Sequence, residues 1–126
     1  MQEVDTSVFM SLQSNDILLI DSTHVSKLGS DVNYIFFEIL PKLETGVCVH
    51  IHDIFWPFEY PPDWIDQGRA WNEAYLLRAL LQHSSRFDIL YFSDFMFLQN
   101  EKSIKEQAPL LTRNSGAHVW LRVRSQ

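Results

Sequence analysis

Hydrophobic positions fall into two periods along the chain, and their succession lays out a β-α-β-α-β-β order. Asp16 and Asp21 enclose the unbroken run Ile17-Leu18-Leu19-Ile20, the pattern of a central parallel strand buried on both faces. After a loop containing Gly29, Ser30 is placed to cap a helix whose Val32, Ile35, Phe36, Ile39, Leu40 and Leu43 recur every three or four residues. Pro41 should end or kink that helix near its last turn, and Gly46 suits the turn into a second strand. There β-branched Val47, Val49 and Ile51 run into the polar pair His52-Asp53. Strand, helix and strand in this order predict a right-handed crossover between parallel strands.

Residues 55–68 carry Phe55, Trp56, Phe58, Tyr60 and Trp64 among Pro57, Pro61 and Pro62. So many prolines argue against regular structure, and so many aromatics argue for packing on the core or a partner rather than for a substrate-facing lid. Residues 71–84 read as a helix begun at or beside Asn72, with Ala70, Ala74, Leu77, Leu80 and Leu81 on one face. Phe87–Phe92 reads as a strand. Residues 98–117 are polar and broken by Pro109, Asn114 and Gly116, so a long, partly mobile connection is expected, with a turn or short helix over 104–111. His118–Val123 alternates as a half-exposed final strand at or next to a sheet edge. Residues 1–15 read as a connector with a short helix over 8–13, capped by Thr6 or Ser7.

Composition narrows the classes. In 126 residues there is room for one domain with a real core, and 46% hydrophobic residues with 13% aromatics exclude a disordered chain. Ten Lys and Arg against sixteen Asp and Glu leave a formal charge of -6, the wrong sign for neutralising phosphates, so nucleic acid is not an expected partner. The single Cys48 cannot form an internal disulfide and lies in an apolar strand, which predicts a buried thiol and a cytoplasmic setting. No apolar run approaches the roughly 20 residues of a membrane helix, so no membrane association is expected.

Chemistry concentrates where two strands end. Adjacent parallel strands lie about 4.8 Å apart, so strands ending in Asp21 and Asp53 would bring two carboxylates to one rim, where α/β sheets bind ligands. Carboxylates joined by the His52 imidazole suit Mg2+ or Mn2+; His24, His50 and His52 together would suit Zn2+. The plain alternative is that the aspartates cap turns and His50 is a hydrogen-bonded core histidine. His24, three residues beyond Asp21, has the ordinary near-neutral pKa of a general base.

The stretches Asp16-Ile-Leu-Leu-Ile-Asp-Ser-Thr-His24, Gly29-Ser-Asp-Val-Asn33, Leu40-Pro-Lys-Leu43, Gly46-Val-Cys-Val-His-Ile-His-Asp-Ile54 and Trp71-Asn-Glu-Ala-Tyr-Leu76 resemble class I S-adenosylmethionine-dependent methyltransferases. The nearer likeness is to the group with an Asp-Ser-Ser-His strand end followed by a His-Asp-Ile strand end; Thr23 stands for the second Ser. The resemblance implies a Rossmann-like methyltransferase fold, mainly parallel with a last antiparallel strand, of which this chain is the carboxyl-terminal half. It also implies Mg2+ held at Asp21 and Asp53, with His52 where an acidic residue is usual, and His24 as base toward a small-molecule or sugar hydroxyl. The glycine-rich turn that holds the donor in that family has no counterpart here, since Gly29, Gly46, Gly68 and Gly116 form no G-x-G pattern. The chain is therefore expected to be a fragment or truncated member, inactive by itself, or a non-catalytic dimerising module of the same fold. The flank of Asp16–Asp21 left unpaired in a half-sheet predicts self-association.

Overall fold

The computed structural model describes residues 4–114 and 116–125. Four strands form one mixed sheet in the order β1-β2-β4-β3: β1 (Ile17–Ile20), β2 (Cys48–His52), β3 (Phe87–Phe92) and β4 (His118–Val123). β1 and β2 pair in parallel, Leu18 opposite Val49 and Ile20 opposite Ile51. β4 enters between β2 and β3 and runs antiparallel to both. β1, β2 and β3 thus point the same way, but the inserted last strand leaves only the β1–β2 pair parallel, fewer than a mainly parallel sheet requires. The final strand is next to an edge, as its alternation predicts.

The helices are α1 (Thr6–Met10), α2 (Asp31–Tyr34), α3 (Pro62–Asp66), α4 (Glu73–His83) and α5 (Ser93–Gln107). α2 begins at Ser30, whose side chain accepts from the Asn33 amide. It continues as a π-helical stretch, Ile35–Ile39, and a 3-10 turn, Leu40–Lys42. Pro41 explains the change of pitch. Lacking an N–H and crowding the preceding turn, it cannot continue a regular helix, and the ladder widens so that the Leu40 amide reaches Ile35 O. All six apolar positions of the predicted face are buried and pack with Ile20, Val49, Ile51, Val119 and Leu121 of the sheet and Ala74 and Leu77 of α4.

Four expectations are corrected. β1 is an edge strand paired only with β2, and Ile17 and Leu19 are 55% and 64% exposed instead of buried. Its apolar run has a core face, Leu18 and Ile20, and an open face, because no described element covers the second side. The proline-rich segment forms the short α3, with Pro62 in its first turn, where a missing N–H costs no hydrogen bond. Residues 93–107 form α5, kinked at Asn100, where residues 98–117 were expected to be a loose connection with a turn or short helix only over 104–111; the turn itself is a 3-10 turn at Pro109–Arg113. Glu, Lys and Gln favour helix without marking an apolar face, and Glu101 and Lys105 pair at 2.5 Å one turn apart. α1 is capped by Asp5, which accepts from the Ser7 amide, so the helix starts two residues before the predicted span.

Candidate functional site

β1 and β2 are neighbours and parallel, so their carboxyl ends open on the same rim. Beyond β1 the segment Asp21-Ser22-Thr23-His24 is tied down residue by residue. Ser22 Oγ accepts from the His24 amide at 2.9 Å and donates to Glu73 Oε2 at 2.9 Å. The Thr23 amide and hydroxyl donate to Asp31 at the start of α2, at 2.9 and 2.5 Å. The His24 carbonyl accepts from the amides of Asn72 and Glu73, which open α4. Asn72 in turn bonds the backbone of Ser26 through both ends of its amide.

These bonds hold His24 at φ 58°, in the left-handed region, and Asp53 beyond β2 adopts φ 55°. Both strand-end site residues are thus kept in a conformation uncommon for side chains larger than glycine, the kind of local strain that collects at functional sites.

His24 is buried, and carboxylates face both edges of its ring. Nδ1 is hydrogen-bonded with Glu73 Oε2 at 2.8 Å, while Nε2 lies 3.5 Å from Asp21 Oδ1 and 3.8 Å from Asp53 Oδ2. One ring face lies against Trp71, with centroids 4.1 Å apart. Glu73 is completely buried, and its Oε1 has no hydrogen-bond partner among the described residues. Burial pushes the His24 imidazole down, but the hydrogen bond and charge of Glu73, joined by the charges of Asp53 and Asp21, outweigh it. The net displacement is upward from 6.5.

No known protein family, curated protein or solved structure matches this chain. Its chemistry therefore rests on its own geometry.

The predicted site residues do come together: Asp21, His24, His52 and Asp53 share one rim, with His52 Nδ1 3.2 Å from Asp53 Oδ1 and 4.0 Å from Asp21 Oδ1. They do not fit the expected cation. Among the described residues no three His, Cys, Asp or Glu side chains are disposed to hold a metal ion, and the rim carboxylates face imidazole nitrogens. A donor cradle is likewise missing among the described residues. The four glycines occupy separate turns, all at positive φ, and none forms a glycine-rich loop after a strand.

His50 lies on the opposite sheet face, in line with Leu19 and Trp120. It is buried as expected of a core histidine, but its Nδ1 has no hydrogen-bond partner among the described residues. Its neighbours are the rings of His118 and Trp120, with centroids at 4.8 and 4.7 Å. Cys48 is a buried free thiol.

Beside the rim is a cleft of about 340 Å³ lined by His52, Asp53, Phe55, Pro61, Trp64, Asn114, Gly116 and Ala117. Asp53 belongs to both, facing His24 on one side and the cleft on the other. Phe55 and Trp64 meet edge to face at 5.1 Å and also pack against the core, so the aromatic segment is packed and cleft-lining at once.

Glu73 and Trp71 carry much of this geometry without a role that the sequence pattern assigns them. A glutamate in the first turn of a helix ordinarily reads as a solvated charge on the dipole. Only the meeting of α4 with the β1 end, 49 positions apart, buries it against His24.

Proposed function

We propose that this chain forms the acceptor side of a Rossmann-like transferase of the S-adenosylmethionine-dependent methyltransferase kind, in which His24 takes the proton of a small-molecule or sugar hydroxyl. The observation that carries this reading is the buried Glu73–His24 pair at 2.8 Å, with Nε2 directed toward the cleft-lining Asp53. The α/β sheet with its last strand antiparallel to its neighbours is compatible with the fold that the resemblance implies.

Glu73 fixes the Nδ1–H tautomer and orients the ring, which leaves the Nε2 lone pair as the base. The reacting hydroxyl points its hydrogen at Nε2, and Asp53, 3.8 Å from Nε2, accepts from a neighbouring hydroxyl of the acceptor and so keeps the reacting oxygen in place. As the proton moves to Nε2, the imidazolium formed is stabilised by Glu73, Asp53 and Asp21. Phe55 and Trp64 supply an apolar wall against which a ring of the acceptor can lie. The donor, in a complete domain, supplies an electrophilic methyl group; this chain positions the acceptor and removes its proton.

A chromophoric phenol, p-nitrophenol, tests the proton-acceptor role without a donor. Bound to the wild type it should ionise at lower pH than in water, seen as phenolate absorbance, and His24→Asn should abolish the effect. Equal ionisation in the two proteins would contradict the proposal.

A second reading has one observation in its favour. The free edge of β1, with Ile17 and Leu19 exposed, suits a non-catalytic module that pairs with a second copy.

A further inference from the structure

His24 is fixed at one ring edge by its hydrogen bond to Glu73, but a hydrogen bond at one edge does not stop an imidazole tilting about it. What opposes tilting is a face contact. Trp71 provides it, lying 30° from the His24 plane with centroids 4.1 Å apart.

Trp71 is half-buried and flanked by two further rings. Trp64 meets it at 5.0 Å and 82°, and Tyr60 at 6.0 Å and 81°, so two rings stand nearly perpendicular to it. Over this corner lies a cation: the Arg69 guanidinium carbon is 4.3 Å from the centroid of Trp64 and 5.2 Å from that of Trp71. The backbone puts it there. At the end of α3, Gly68 turns through φ 81°, and the Arg69 amide donates to Trp64 O at 3.0 Å, folding the chain back over its own helix. Arg69 makes no ion pair among the described residues, although the chain holds sixteen acidic residues. Its position is set by the two indoles, an arrangement suited to a planar guanidinium and not to an ammonium.

Trp64 is also a wall of the cleft. The surface that meets a ligand and the surface that backs the base are therefore joined through one ring contact.

We propose that Trp71 is a positioning residue for His24, and that Arg69, spread over Trp64 and Trp71, holds the indole against the imidazole. The inference rests on the reading of His24 as proton acceptor. Trp71 does not touch the reacting hydroxyl. It restricts the tilt that would swing Nε2 away from Asp53 and strain the Nδ1–H bond to Glu73, so that the base meets the cleft in one orientation.

The test uses the full chain and reads solvent exchange of the His24 Nδ1 proton by nitrogen-edited NMR. In the wild type this proton should be protected, being buried and bonded to Glu73. Trp71→Leu keeps apolar bulk but removes the aromatic face, and should speed exchange about tenfold, whereas Trp71→Phe should stay within about threefold of the wild type. Arg69→Gln, at an exposed position, should speed it about threefold and leave the amides of Val49 and Leu121 unchanged. A filler of core volume would make Leu and Phe equivalent; that result, or an unmoved proton in Arg69→Gln, overturns the proposal. Should Trp71→Leu loosen the sheet amides as well, Arg69→Gln decides alone. A wild type with no protected Nδ1 proton would instead overturn the underlying reading of the Glu73–His24 pair.

Discussion

His24, beyond β1, and His50 and His118, in β2 and β4, are shifted in opposite directions by their surroundings. His24 is faced by three carboxylates and moves up. His50 is pushed below 6.5 first by burial and then by the neighbouring His118 and His52, with Asp21 opposing weakly. His118 moves the same way, from burial and from His52. The signs differ in consequence. A raised imidazole contributes stability that is present below 6.5 and fades as pH climbs through its folded value. A lowered one contributes stability that is present above 6.5 and is lost as pH falls, because the unfolded chain binds the proton more tightly. His50→Phe removes the second kind and leaves an apolar ring beside Trp120. Compared with the wild type by denaturant unfolding, this variant should gain relative stability as pH drops below 6.5; parallel curves would contradict the assignment.

At the scale of elements, the strands were legible because each has its own local signature, and the same locality explains what was missed. The alternation of Val47, Val49 and Ile51 and the run Ile17-Leu18-Leu19-Ile20 mark strands wherever they occur. They do not say how many neighbours a strand has, so β1 read as central although it lies at the edge. α5 was hidden for the converse reason: its residues favour helix, but with Leu98 exposed and only Ser93 fully buried there is no apolar period to detect. β1 carries the prediction at this scale. Its free edge and the exposed Ile17 and Leu19 form an apolar, unpaired ribbon of the type that recruits a second chain. Light scattering should give a mass above that of one 14.8 kDa chain, and Leu19→Lys should return it to one. A monodisperse monomer in the wild type would contradict edge pairing.

For the molecule as a whole, the fold brings together residues that the chain keeps far apart. Asp21 and His24 follow β1, Asp53 follows β2, and Glu73 opens α4; the parallel β1–β2 pair and the Asn72–Ser26 bonds make them one cluster. The strand-end motifs pointed to Asp21, His24, His52 and Asp53, and these four do share a rim. What the sequence could not disclose was the third carboxyl group. Glu73 looks like any acidic residue at a helix start until the tertiary fold buries it against His24 Nδ1, the contact on which the proposed base role rests. No described helix is long and apolar enough to cross a membrane, and the cleft beside the rim is open to a small ligand.

The oriented base is tested most directly by following the His24 ring resonances through a pH titration in the wild type and in Glu73→Gln. Gln keeps the shape of the buried side chain but not its charge. Burial, the strongest influence on His24, would then be opposed only by Asp53 and Asp21. His24 should titrate above 6.5 in the wild type and below it in Glu73→Gln; a midpoint indifferent to the substitution would contradict the role of Glu73.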